Sequence, residues 1–280
     1  MNKVVFYSLL VFFVLGLVFA GFYDLEISKA LVDQDNAVAQ FVNRYGEYPG
    51  CLAIGFAFIM LNAFLVTPKN WKRWLYYGCY LFNFVFATGV ISMTTYRCFV
   101  KGMHWSFFKG VDKDIRKLII CIIAGILVLV VTLLLKYKAS LFVKRHQAFA
   151  KIGSLIGFLS ITLIHFIKPI WGRIRFRDLS EDFSDFHVWY YPQCAPKGRS
   201  FPSGHTSMAW VCIILLLLFQ YQSKQTKSIV LAILVIWGIF VSYFRVVIGA
   251  HYTSDVLFSS MLITLLFTAL YPKKNQYILE

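Results

Sequence analysis

Eight long apolar stretches, at approximately 4–22, 51–67, 75–95, 118–135, 149–167, 205–221, 229–248 and 254–271, most constrain what this chain can fold into. A bilayer core is about 30 Å thick and a helix rises about 1.5 Å per residue, so a spanning helix needs roughly 20 apolar residues. A hydrophobic share of 59% exceeds that of ordinary soluble domains. Runs such as Leu118 to Leu135 are apolar on every face, and the period-two alternation of barrel strands is missing. The expected fold class is therefore all-α, a polytopic membrane helix bundle of about eight transmembrane helices. Short joints, with no repeat or low-complexity tract, make residues 1–280 one membrane domain. Within it, 1–148 supply N-terminal helices and 149–271 a C-terminal core.

The first stretch also has features of a cleaved signal peptide, with Lys3 before it and Val18-Phe19-Ala20 as an acceptable cleavage site. Its apolar run exceeds the about 7–15 residues of a signal core, so an uncleaved helix is expected. With both termini in the cytoplasm, Lys69, Lys72, Arg73, Lys136, Lys138, Lys144, Arg145, Lys224, Lys227, Lys273 and Lys274 fall inside, obeying the positive-inside rule. The first external loop then carries Asp24, Glu26, Asp33, Asp35 and Glu47 against Lys29 and Arg44.

Two external segments break the pattern. Arg97 to Lys117 mixes Lys101, Lys109, Lys113 and Arg116 with Phe99, Trp105, Phe107 and Phe108, which suits an interfacial segment and equally a solvated loop edge with aromatic anchors. Lys168, Arg173, Arg175, Arg177 and Arg199 oppose the topology signal more strongly, and binding an anion is the natural use for them. The net charge of +15 is dispersed over joints on both sides of the membrane, which makes nucleic acid a poor partner. Cys79, Cys121 and Cys212 lie in apolar runs where buried thiols are usual, and any two of Cys51, Cys98 and Cys194 can pair in an oxidising compartment.

Three clusters map to the same membrane side. In the segment from His251 to Asp255, a histidine and an aspartate four apart share a helix face. The carboxylate can hold one ring nitrogen and leave the other free to attack, although an isolated pair of this kind also fits a plain helix cap. Pro202-Ser203-Gly204-His205 precedes an apolar helix, so its backbone N–H groups can face an anion and His205 can protonate a departing oxygen; alone, it too reads as a cap. Lys168 and Arg175, six residues apart, and Arg245, before His251, can hold the equatorial oxygens of a phosphoryl group. Lys168 also fits a snorkelling residue at a helix end.

In order and spacing these segments resemble the type 2 phosphatidic acid phosphatase family, the lipid-phosphatase relatives of the vanadium haloperoxidases. Its pattern is Lys-x6-Arg-Pro, then Pro-Ser-Gly-His, then Ser-Arg-x5-His-x3-Asp. Here they read Lys168 to Phe176, Pro202 to His205, and Phe244-Arg245 through His251 to Asp255. The resemblance covers approximately 149–271; the four apolar segments before it exceed the two that usually precede this core. It departs at Phe176, where the family has proline, and at Phe244, where it has serine.

The resemblance implies that His251 attacks phosphorus to form a phosphohistidine, that Asp255 orients it, and that His205 protonates the leaving group. Lys168, Arg175, Ser203, Gly204 and Arg245 are then the phosphate-binding set, and neither metal nor other cofactor is required. A membrane-embedded site favours a lipid phosphate or diphosphate at the outer face, undecaprenyl diphosphate first, then phosphatidylglycerophosphate, phosphatidate or a lipid A phosphate. A transporter or binder would need the cations alone and leaves His205, His251 and Asp255 without a use. Vanadate-dependent halide oxidation belongs to soluble relatives. The loop Arg177 to Asp185 is acidic enough to suggest calcium or magnesium but lacks a Gly-turn metal loop. His187, Trp189 and Tyr190 suit a substrate entrance, and His104, His146 and His165 have no motif context.

Overall fold

The computed structural model describes residues 3–66, 72–101, 108, 110–194 and 198–272. Lys69, His104, Trp105, Phe107, Lys109, Lys273 and Lys274 lie outside them. The described residues are helical and contain no strand. In chain order the helices are α1 (Lys3–Leu31), α2 (Ala37–Tyr45), α3 (Tyr48–Phe64), α4 (Arg73–Thr95), α5 (Lys113–Lys138), α6 (Ser140–Arg145), α7 (Ser154–Trp171), α8 (Gly204–Val211), α9 (Lys224–Val247) and α10 (Thr253–Leu270). Single π turns at Tyr96–Val100 and Phe149–Gly153 extend α4 and precede α7.

Among the described residues, seven helical stretches are long and apolar enough to cross a bilayer. The eighth, Gly204–Phe219, is shorter: α8 passes at Cys212 into a 3-10 helix that runs to Phe219. Because a 3-10 helix rises about 2.0 Å per residue against 1.5 Å, it still extends about 28 Å.

Two compact units emerge. One comprises Met1–Glu47, Phe158–Ile213 and Lys224–Glu280. In it α10 packs against α1, α8 and α9, and α9 also against α2. Small residues permit the close approach of membrane helices: a Cβ on Gly238 of α9 would meet the Trp210 ring of α8 at 2.8 Å. Ala39, Val42, Ala209 and Val241 form part of the buried centre. The other unit comprises Tyr48–Gly157 and Ile214–Ser223, in which α3 packs against α4 and α5. Its interior includes a pair of buried asparagines, with Asn83 Nδ2 donating to Asn62 Oδ1 at 3.0 Å.

Two expectations change. Asp24, Glu26 and Lys29 do not lie in a loop, since α1 continues to Leu31. The helix can carry Asp24 because that carboxylate is buried against an arginine. Cys79 and Cys121 are exposed, because α4 and α5 turn those faces outward to where lipid would lie. No disulfide joins Cys51, Cys98 or Cys194.

Candidate active site

The first unit collects all three motif segments. Lys168 closes α7, Arg175 follows it in extended backbone, Ser203 caps α8, Arg245 ends α9, and His251 and Asp255 flank the start of α10. Main-chain bonds join the segments directly. Arg177 N–H donates to the Gly249 carbonyl at 3.1 Å, Ser200 N–H to that of Arg173 at 2.8 Å, and Ser203 N–H to that of Asp255 at 3.3 Å. The turn between α9 and α10 needs Gly249, whose φ of +67° is costly for other residues. Gly198 is required for a different reason, since a Cβ there would lie 1.7 Å from the Gly172 carbonyl oxygen.

His251 is 2% exposed. Its backbone N–H donates to the Arg245 carbonyl at 3.2 Å, which ties the ring's position to that arginine. Nδ1 faces Asp255 Oδ2 at 3.5 Å without the alignment of a hydrogen bond; such contacts are often loose before a substrate arrives. Asp255 Oδ2 itself accepts from the Tyr252 N–H at 3.0 Å and from the Ser200 hydroxyl. Ser203 Oγ accepts from the Thr206 N–H at 3.4 Å, and Gly204 sits beside the Lys168 stem.

Lys168 donates Nζ to the Arg199 carbonyl at 2.9 Å and lies within electrostatic reach of Arg175, Arg199 and Arg245. Arg245 is 3% exposed and donates to Asn43 Oδ1 of α2. Arg175 Nε and Arg245 Nε are buried donors without a protein partner. A buried unpaired N–H is costly, and anion oxygens satisfy guanidinium donors well. His205 turns toward α2, its Nε2 3.1 Å from the Asn43 carbonyl and its Nδ1 3.8 Å from Glu47 Oε2. All eight residues singled out in the sequence thus belong to one unit, with Lys168, Arg175, Arg245, His251 and Asp255 gathered on one side of it and His205 held through α2.

Four further residues enter the site unannounced by the motifs: Asp24, Asn43, Glu47 and Ser200. Arg173 corrects an expectation. It is not available to an external anion, because the residue is 1% exposed and its guanidinium bonds four protein acceptors: Asp255 Oδ1 at 2.7 Å, Ser254 Oγ at 2.8 Å, Asp24 Oδ2 at 2.9 Å and the His187 carbonyl at 2.9 Å. The acidic loop is also internally occupied. The Ser180 hydroxyl donates to Asp185 Oδ1 at 2.7 Å, and the Ser184 hydroxyl to Asp182 Oδ1 at 2.9 Å. His146 and His165 bond carbonyls one helical turn back, at 2.9 Å and 2.8 Å.

Burial pushes the His251 imidazole down to about 3; Arg245 and Lys168 reinforce this, while Asp255 pulls the other way. The ring is therefore neutral at pH 7 and holds a lone pair for chemistry. The sign for stability follows. An unfolded histidine titrates near 6.5, so this contribution is complete above that pH and is lost as pH falls below it toward the folded value. Nitrogen NMR of histidine-labelled protein should show one ring neutral from pH 8 to pH 5, absent in His251→Ala. A His251 signal titrating near 6.5 would contradict the buried, neutral state.

The PAP2 superfamily model matches residues 147–278, the stretch that carries α7 to α10 and every motif segment. No curated protein and no solved structure matches the chain. The motifs read in the sequence and this match coincide: residues 147–278, a little under half of the chain, match the PAP2 superfamily.

Proposed function

We propose that the protein is a lipid phosphatase that hydrolyses a phosphomonoester or diphosphate headgroup at the outer membrane face through a phosphohistidine. The observation that carries this reading is a buried imidazole, His251, in the same unit as two buried guanidinium donors, Arg175 Nε and Arg245 Nε, that have no protein partner.

In the first step the lone pair of His251 Nε2 attacks phosphorus while Nδ1 faces Asp255. The bond from phosphorus to the leaving oxygen breaks, and His205 gives that oxygen a proton. Lys168, Arg175, Arg245, the Ser203 hydroxyl and the backbone N–H groups at Gly204 hold the equatorial oxygens as their charge grows. In the second step water attacks the phosphohistidine, loses its proton to His205, and inorganic phosphate departs. Glu47 stands beside His205 where it can pair with the imidazolium. Since side chains supply the cations, turnover needs no metal.

The lipid nature of the substrate is supported by an apolar groove of about 240 Å³ in the same unit, lined by Val14, Leu17, Val18, Trp189, Phe258 and Met261. A tail seated there leaves only the phosphate to enter polar surroundings. For the headgroup, Arg177 and Arg199 lie beside the three phosphate-holding cations, within electrostatic reach of Arg175. They match a second anionic group, so undecaprenyl diphosphate is the leading substrate, ahead of phosphatidylglycerophosphate, phosphatidate and lipid A phosphates. The outer location is supported by the charge pattern, with Lys224 and Lys227 at the opposite end of α9 from Arg245.

Phosphate release by purified protein in detergent with EDTA, across monophosphate and diphosphate lipids, tests the reading. Diphosphates should give the highest kcat/KM, and EDTA should leave the rate unchanged. Loss of activity in EDTA would remove the metal-free mechanism, while tight lipid binding without any release would favour an anionic-lipid binder or transporter.

A further inference from the structure

Asp255 is held from behind by a charge that none of the motifs contains. Arg173, Asp24 and Asp255 are 1%, 2% and 0% exposed, so their charges interact with little solvent screening. One guanidinium serves both carboxylates: NH1 reaches Asp255 Oδ1 at 2.7 Å and NH2 reaches Asp24 Oδ2 at 2.9 Å. Asp24 is in turn fixed to the first turn of α10, accepting the Ser254 N–H on Oδ1 at 2.9 Å and the Ser254 hydroxyl on Oδ2. The flat face of the guanidinium lies 3.8 Å from the centre of the Tyr252 ring, which leaves it little freedom to move.

Two carboxylates share one arginine, so the cluster carries a net charge of about −1 if all three groups are ionised. An Arg173–Asp255 pair alone would be neutral, and Asp255 would then oppose little charge on its neighbour. As His251 takes phosphorus its ring becomes cationic, and a residual negative charge behind it stabilises that state.

We propose that Asp24 and Arg173 are positioning residues: Arg173 fixes Asp255 in orientation, and Asp24, by dividing the guanidinium's charge, keeps Asp255 negative enough to support a phosphorylated His251. The first helix thereby becomes part of the catalytic apparatus. This deepens the phosphohistidine reading and rests on it.

The experiment follows single-turnover formation of phosphoenzyme from a lipid phosphate labelled with ³²P, normalised to the fraction of protein that becomes labelled. Asp24→Asn keeps size and removes charge. Its rate constant per labelled site should fall at least about tenfold, with KM within about threefold of wild type. A purely structural role would lower the labelled fraction and leave the rate constant per site unchanged, which overturns the proposal. Should Asp24→Asn not yield folded protein, Ser254→Ala takes its place. That change removes the hydroxyl lying between Asp24 and Arg173, and should slow the same step about threefold; an unchanged rate again overturns the idea. A wild type that forms no phosphoenzyme while still releasing phosphate would sink the phosphohistidine reading and this one together, which separates that failure from failure of the relay alone.

Discussion

Replacing His251 with alanine should abolish phosphate release, lowering kcat on the order of 10⁴-fold or more, because no other group can form the covalent intermediate. The side chain is buried, and its removal leaves a cavity rather than an unpaired charge, so the variant should accumulate as folded protein. Label from the substrate should appear on wild-type protein as an acid-labile, alkali-stable adduct and be missing from the variant. His205→Ala provides the contrast. Its loss should strongly slow phosphoenzyme formation from lipid substrates but spare that from p-nitrophenyl phosphate, whose leaving group departs without a proton, while hydrolysis of the phosphoenzyme slows equally for both. Equal loss in the phosphoenzyme-forming step on both substrates would place His205 outside the acid role, and a His251→Ala enzyme retaining a tenth of wild-type turnover would remove His251 as nucleophile.

The helical membrane class was readable because it depends on run length alone, and a bilayer sets that length. The motif segments were readable from spacing: His251 and Asp255 are four apart, although His251 lies in the turn before α10 and the pair meets through the capped first turn of that helix rather than along one helix face. The eighth span was misjudged in form. Its apolar run announces burial, but nothing in Cys212 to Phe219 signals the change from α to 3-10 winding.

What could not be read is what depends on distant pairing. Asp24 meets Arg173 across 149 positions and Ser254 across 230, and no local pattern encodes either contact. There was nonetheless a signal. The rule that an intramembrane carboxylate is paired or functional applies to Asp24 as it does to Asp255, once the apolar run of α1 is allowed to continue past residue 22. Ending the span at Asp24 treated the charge as a boundary, and so concealed its partner. The same reasoning reverses the role of Arg173. A basic residue near an anion site reads as a ligand for the anion, yet two buried carboxylates compete for it first. Asn43 and Glu47 were hidden for another reason, since the short helix α2, which carries Asn43, and the turn after it, which carries Glu47, show their use only where they meet Arg245 and His205.

Replacing Arg245 with glutamine should lower kcat/KM by about 10²–10³-fold, the scale expected when a preorganised donor to a developing phosphoryl charge is lost. The size follows from three separate features. The guanidinium is buried, so its charge is little screened; Nε has no protein partner; and the remaining fork donates to Asn43, which sets its plane. Arg245→Lys keeps the charge but replaces the fork by a point donor that cannot serve both Asn43 and a phosphoryl oxygen. Its activity should fall between those of wild type and Arg245→Gln, with most of the loss in kcat. Because the Arg245 carbonyl also holds the His251 N–H, backbone disturbance has to be separated from lost charge. Adding guanidinium to the Arg245→Gln enzyme makes that separation: partial recovery of rate marks a missing cation, whereas no recovery, together with a lower melting temperature, would assign Arg245 to supporting the His251 turn.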